Sequence, residues 1–348
     1  MESILVTGGA GFIGSHFVDY LLDTRPDCHV TVLDKLSYAG KRENLCRAMT
    51  LHRDRLKFVE GDVRNLYFSR RLLGSCDTVV HFAAESHVER STEEPLLFAN
   101  NNTSGTVTLL EAAQRERVQR FLLISSVEVY GSRPEGDRPS REEDLPTAPS
   151  PYAASKAAAE SWASAYRQTY GLPVIITRSS NNFGPRQHQE KQLPAFISAA
   201  LQGKPLWVQG DGGHIRQWLY VEDHCRALDL ILHAEASLVV GEIFNIGAGP
   251  TAERTTLQNA RTVLERTGNR SEVRFTPDRQ PTIRRLALDA AKLEQRLGWR
   301  PQISFEAGLE RTIAYYQEKA SQAKAKPVHA PSTQEEPTLF EEAIPVGC

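Results

Sequence analysis

Near its start the chain reads Ile4-Leu5-Val6 and then, without a break, Thr7-Gly8-Gly9-Ala10-Gly11-Phe12-Ile13-Gly14. An apolar run thus gives way to glycines spaced GxxGxxG and to a stretch of helical spacing, an order that suits a strand turning tightly into a helix. Small residues there let the backbone approach a pyrophosphate, whose charge is favoured by the free N–H groups and positive dipole end of the helix. Such a turn also wants glycine for steric reasons alone. The second apolar run ends at Asp34, 20 residues after Gly14, where a carboxylate can accept hydrogen bonds from an adenosine ribose. Loop and acid together predict a site for NAD rather than NADP. Asp62, Ala83 and Ala84, which close the third and fourth runs, either line the same cleft or are simple strand-end chemistry.

Ile4 to Thr7, His29 to Asp34, Leu56 to Glu60, Thr78 to Ala83, Phe121 to Ser125 and Val174 to Thr177 are short apolar, β-branched runs separated by helical spacings. This alternation predicts an α/β fold: a doubly wound parallel (Rossmann) sheet covered on both faces. The clearest helix is Pro151 to Tyr170. After about Ser180 the elements shorten: a helix around His224 to Ala234, a strand at Glu242 to Ile246, a helix from Leu257 to Arg266 and another from Phe305 to Glu318. The expected division is a dinucleotide-binding domain over 1–180 and a smaller mixed α/β substrate region over 181–320, with the chain free to cross back between them. A disordered tail is expected over 321–348, where Lys, Ala, Pro, Ser and Glu leave little to pack.

Lys and Arg number 41 against 43 Asp and Glu, a net charge of −2. That provides no field to gather nucleic acid or an anionic membrane, and no apolar stretch approaches the roughly 20 residues that span a bilayer. Neither partner is expected. Met1-Glu2-Ser3 shows no basic and apolar leader, and the five cysteines are widely spaced with no CxxC pair; both predict a cytosolic protein with reduced thiols. The histidines form no HExxH or HxH arrangement, so no metal site is expected.

Tyr152 and Lys156 stand four apart at the start of the predicted helix and project from one face. An ammonium beside a phenol favours phenolate, so Tyr152 is read as a base toward a substrate hydroxyl and Lys156 as the group that lowers its pKa. An isolated YxxxK is more often a surface pair, and the nucleotide loop upstream reverses that preference. Ser125-Ser126-Val127-Glu128 lies at the carboxyl end of the fifth strand, where open α/β sheets place reactive groups. Ser126 can hydrogen-bond a substrate oxygen. Glu128 reads equally well as a base for a carbon-bound proton next to a ketone or as an exposed strand-end charge.

Together these residues resemble the extended short-chain dehydrogenase/reductase superfamily and, most closely, the dTDP-glucose 4,6-dehydratases, over about Ile4 to Ala320. The more specific matches are Asp34-Lys35-Leu36-Ser37-Tyr38-Ala39-Gly40, Ala83-Ala84-Glu85-Ser86-His87-Val88, Arg178-Ser179-Ser180-Asn181-Asn182, Glu190-Lys191, and Ile215-Arg216-Gln217-Trp218-Leu219-Tyr220-Val221-Glu222-Asp223-His224. The resemblance implies that Phe12, Ile13, Lys35, Ser37, Val63, Asn101 and Asn182 join the glycines around NAD. It implies a nucleotide diphosphate sugar, with Lys191, Arg216 and Arg279 on the diphosphate and Ser86, Asn181, Gln192 and Asn245 on the substrate side. It also implies a homodimer joined through helices, 151–170 among them.

The implied reaction begins with Tyr152 deprotonating the sugar C4 hydroxyl while NAD accepts the C4 hydride. Glu128 then removes the C5 proton, water leaves from C6, and the hydride returns to C6. Two departures stand out. The family usually carries Thr-Asp-Glu where this chain has Ser126-Val127-Glu128, and Val127 cannot donate a proton; either Glu128 makes both transfers or the outcome is altered. The family's Asp-Arg-Pro-Gly-His is replaced by Asp278-Arg279-Gln280-Pro281-Thr282. A nucleotide-sugar 4-epimerase or decarboxylase is the alternative on this scaffold, and a non-catalytic NAD sensor is a third reading.

Overall fold

The computed structural model describes residues 2–278 and 282–325. Its main sheet uses β1 (Glu2–Thr7), β2 (Cys28–Asp34), β3 (Leu56–Glu60), β4 (Thr78–His81), β5 (Arg120–Ser126) and β6 (Val174–Ser179). Between β6 and the main sheet's last strand come β7 (Asn181–Phe183), β8 (Leu206–Gln209) and β9 (Ile215–Tyr220); that last strand is β10 (Ile243–Ile246). The seven strands run in the order β10-β6-β5-β4-β1-β2-β3 and are parallel throughout. This is the doubly wound layout, with its switch point between β1 and β4.

Period-two alternation sorts each strand's side chains between the faces. Ile4 and Val6 join one apolar layer with Phe17 and Leu21 of α1 (Phe12–Thr24), while Leu5 joins the other. That second layer includes Leu72 of α2 (Leu66–Leu73), Leu109 of α3 (Gly105–Arg115), and Ala159 and Ala163 of α4 (Pro151–Tyr170). Ser150 caps α4 by accepting from the Ala153 amide, Pro151 fits the first turn, and Gly171 ends it with φ +71°; the predicted helix therefore starts and stops on its own capping chemistry.

The later elements do not all stay together. A separate core gathers Phe183 of β7, Phe196 of α5 (Gln192–Leu201), Trp218 of β9, Val263 of α7 (Thr256–Thr267) and Leu309 of α8 (Phe305–Ala325). Yet α6 (Val221–His233) packs with α1 in the first layer, and β10 pairs with β6. Both fall within 181–320, the span from which the chain was expected to be free to cross back. Helix α8 also runs on to Ala325, past the expected end at Glu318 and into the expected tail; residues 326–348 lie outside the described residues. No helix among the described residues is long and apolar enough to cross a membrane.

Candidate active site

One cleft opens at the carboxyl ends of the central strands, lined by the β1–α1 loop, the loops after β2, β4 and β5, the start of α4, and residues 179–191. The glycines at its floor are fixed by contact. A Cβ on Gly8, where φ is +69°, would stand 2.6 Å from the Ala83 nitrogen, and one on Gly14 would stand 2.4 Å from the Gly8 carbonyl oxygen. Only glycine permits that approach of loop, strand and helix. Asp34 accepts from the amides of Ala10 and Leu36, each at 2.9 Å. Burial raises its pKa, with those two donors and Lys35 opposing; the loop acid is thus partly a strand-end turn residue as well as a cleft residue.

Phe12, Ile13, Lys35, Ser37, Asp62, Val63, Ala83, Ala84, Asn101 and Asn182 also line this cleft. A π-helical turn at Ala99–Ser104 delivers Asn101, a distortion that hydrophobic spacing does not reveal. The Asn101 side-chain amide donates to buried Glu85 at 3.0 Å, and Lys35 lies 3.6 Å from the same carboxylate oxygen. Glu85, Tyr38, Ser180, Gln187 and His188 line the cleft too but had no expected role; Glu85, Tyr38 and Ser180 fall in motifs already noted. Buried oxygens of Asn101, Ser125, Glu128, Ser180, Asn181 and Asn182 have no protein partner. A narrow glycine floor walled by polar atoms fits a dinucleotide with a polar substrate beside it.

The reactive groups converge at one end. Ser126 caps the short turn after β5 by accepting from the Glu128 amide at 3.2 Å. Burial pushes Tyr152 up to about 12; the Ser126 hydroxyl pulls it down and the Glu128 charge pushes it further up. Lys156 donates to the Ile124 carbonyl at 2.6 Å, and burial lowers it to about 8. The expected lowering of Tyr152 by Lys156 is therefore not what this arrangement produces, because desolvation dominates and the ammonium is engaged by β5. Burial raises Glu128 as well, opposed by the charges of Arg216 and Lys191. Val127 is buried with Val129, Tyr130, Ile283, Leu286 and Leu288.

Lys191, Ser86 and Asn181 line the cleft, and the Lys191 ammonium donates to the Ser86 carbonyl at 2.7 Å. Arg216, on β9, is outside the lining but acts on Glu128. Two expected substrate residues are committed elsewhere. Gln192 exchanges hydrogen bonds with Thr256 and Asn259, and Asn245 is fully buried, accepting from Tyr130 at 2.8 Å and donating to Ser140 and Asp289. Their amides are held by the scaffold and not offered to the cleft. Arg279 lies outside the described residues.

Residues 5–312 match the family model described as GDP-mannose 4,6 dehydratase. The low-salt glycan biosynthesis protein Agl12 of Haloferax volcanii is 47% identical over 90% of this chain and 98% of its own. A dTDP-glucose 4,6-dehydratase of Actinoplanes is 45% identical over 91% and 98%. Among solved structures, DesIV, a dTDP-glucose 4,6-dehydratase from Streptomyces venezuelae with NAD and TYD bound, superposes with TM-score 0.87 at 44% identity, over 92% of this chain and 98% of its own. A UDP-glucose 4-epimerase of Thermotoga maritima reaches 0.84 at 33% identity, over 91% and 99%. The chain belongs to the GDP-mannose 4,6 dehydratase family of extended short-chain dehydrogenase/reductases.

Proposed function

We propose that this protein is an NAD-dependent dTDP-glucose 4,6-dehydratase. The observation that carries the reading is Glu128, a carboxyl with an unpartnered buried oxygen, in the same cleft as Tyr152. A second acid–base group beside the phenol serves elimination, whereas simple C4 epimerisation gives it nothing to do. The relatives named dehydratases and the neighbour holding NAD support it.

NAD, when bound on the glycine floor, would supply oxidation at the sugar C4 and the matching reduction at C6 after water has left. Tyr152 takes the C4 hydroxyl proton and Ser126 hydrogen-bonds that oxygen, while Lys156, held on the Ile124 carbonyl, keeps its charge in the same cleft. Glu128 abstracts the C5 proton once C4 is a ketone. With Val127 apolar, the protonated Glu128 is also the acid available for the departing C6 hydroxyl. Lys191 and Arg216 sit close enough to Glu128 to act on its charge, and the same cations suit the substrate diphosphate. A cytosolic location is part of the proposal, supported by the free thiols of Cys28, Cys46, Cys76 and Cys225. So is a homodimer through α4, where Trp162 and Tyr170 are exposed.

The test is incubation of the purified protein with dTDP-glucose and a panel of other nucleotide sugars, reading product by mass spectrometry, with Tyr152→Phe as control. Loss of one water supports the reading. Loss of carbon dioxide from a uronic acid substrate, or an isomer of unchanged mass, assigns the decarboxylase or the epimerase instead.

A further inference from the structure

Helix α4 carries Tyr152, Lys156 and Glu160 at successive four-residue intervals, so all three lie on adjoining turns of one face. Glu160 is only 4% exposed and Arg178 of β6 only 3%. The Arg178 guanidinium grips both carboxylate oxygens of Glu160, with N–O distances of 2.6–3.1 Å. Its face covers the ring of Tyr130 at 4.6 Å. Tyr130 ends the turn Val127–Tyr130 that carries Glu128, and its hydroxyl donates to Asn245 of β10. One buried guanidinium thus clamps the helix bearing Tyr152 to the turn bearing Glu128. Removing charges from water is costly unless they are paired and bonded, and none of these groups reaches the cleft lining.

We propose that Glu160 and Arg178 are positioning residues: Glu160 sets its carboxylate one helical turn from the Lys156 ammonium, and Arg178 fixes the helix carrying Tyr152 and Lys156 against the turn carrying Glu128. The inference rests on Tyr152 and Glu128 being the reactive pair. The groups around this face are Tyr152 and Glu160 on α4, His81 on β4, Ser126 at the end of β5, Glu128 just after it, and Arg178 on β6. His81 is locked between the hydroxyls of Thr7 and Thr106 at 2.7 and 3.0 Å, and burial, reinforced by Lys156, lowers it to about 3, so it stays neutral. Burial lowers Lys156, and Glu160 is the charge that opposes this.

The test reads Lys156 directly, by NMR titration of lysine labelled with carbon-13 at Cε in the full chain, assigned with Lys156→Met. In Glu160→Gln the ammonium should lose its proton at lower pH, with at least about a threefold fall in the ammonium-to-amine ratio near pH 8. Glu160→Asp, which keeps the charge, should titrate near the parent. Because breaking a buried pair threatens folding, Glu160→Met/Arg178→Met removes both charges while keeping volume; it should fold and, since the Arg178 charge that offsets Glu160 goes too, shift Lys156 downward less than Glu160→Gln does. An unchanged Lys156 titration in a folded Glu160→Gln variant, or a double variant whose Lys156 titrates lower than in Glu160→Gln, overturns the assignment of Glu160. For Arg178, Arg178→Met should lower kcat more than it raises KM in the pH range where Lys156 remains charged, and equal kcat there overturns the clamp. A titration shift in Glu160→Gln with no dehydrated sugar made by the parent would sink the proposed function and leave the electrostatic role standing.

Discussion

At the scale of single residues the chemistry turns on two neighbours of opposite character that both line the cleft, Glu128 and the apolar Val127, which also packs in a hydrophobic cluster. Glu128→Gln keeps shape and removes the base, so kcat for elimination should fall by about 10²–10⁴ with nucleotide-sugar affinity little changed; turnover at the parent rate would refute the assignment. Burial raises this carboxyl above its ordinary value, so the base form of the free enzyme is lost as pH falls through that raised value, and the acid limb of kcat/KM should sit there. Val127→Asp would put a carboxyl among Ile283, Leu286 and Leu288, where burial favours its neutral, proton-donating form. Water loss from C6 should then accelerate in single-turnover measurements if proton delivery limits it, at a stability cost of about 1–3 kcal/mol; a slower or unchanged step would argue that Glu128 already delivers the proton. Ser126, Glu128, Tyr152 and Lys156 could be gathered in advance because strand ends of a parallel sheet converge. The sign of the Tyr152 shift could not, since desolvation depends on neighbours distant in sequence, such as Phe98 against its ring, that spacing does not count. The same holds for Asn245 and Gln192, whose partners are distant in sequence.

At the scale of elements, strands and α4 were readable because continuous apolar runs and matched caps are local signals, whereas the π-helical turn at Ala99–Ser104 leaves no such signal and the last turns of α8, exposed from Gln317 to Gln322 and tied by a Gln322–Glu318 bond, carry no apolar periodicity to mark them. The junction of α6 with β1 was also invisible, and it makes a pH-dependent tie. His233, in the last turn of α6, lies 2.9 Å from Glu2 of β1 and 2.9 Å from Asp229. Burial opposes its charge, but the bonds to Asp229 and Glu2 win and raise it to about 9. A folded pKa above the unfolded value of about 6.5 means stability fully present below about pH 6.5 and lost as pH rises through about 9. His233→Gln should therefore cost on the order of 2 kcal/mol at pH 6 and much less at pH 10, as read by urea unfolding at the two values. An equal cost at both would show that the ring acts by packing alone.

At the scale of the whole molecule, a division near residue 180 follows the change of rhythm in the sequence, but the apolar layers do not respect it. Leu228, Ile231 and Leu232 of α6 share a buried layer with Phe17, Val18 and Leu21 of α1, and Phe244 and Ile246 of β10 belong to the same layer. β10 also supplies the hydrogen-bonding edge of β6, from Ile243 opposite Ile176 to Ile246 opposite Ser179. Nothing local marks these elements as returning, because strand partners are chosen by sheet topology and not by sequence distance. A fragment of residues 1–180 would expose the inner face of α1 and the edge of β6, each buried apolar side chain forfeiting about 1.5–3 kcal/mol of burial. A handful of such losses matches the usual 5–15 kcal/mol stability of a domain. The fragment should therefore bind a hydrophobic dye and unfold without a cooperative urea transition, and adding residues 181–325 as a second chain should restore one. A sharp two-state transition for 1–180 alone would show that the nucleotide-binding half is autonomous and that α6 and β10 merely decorate it.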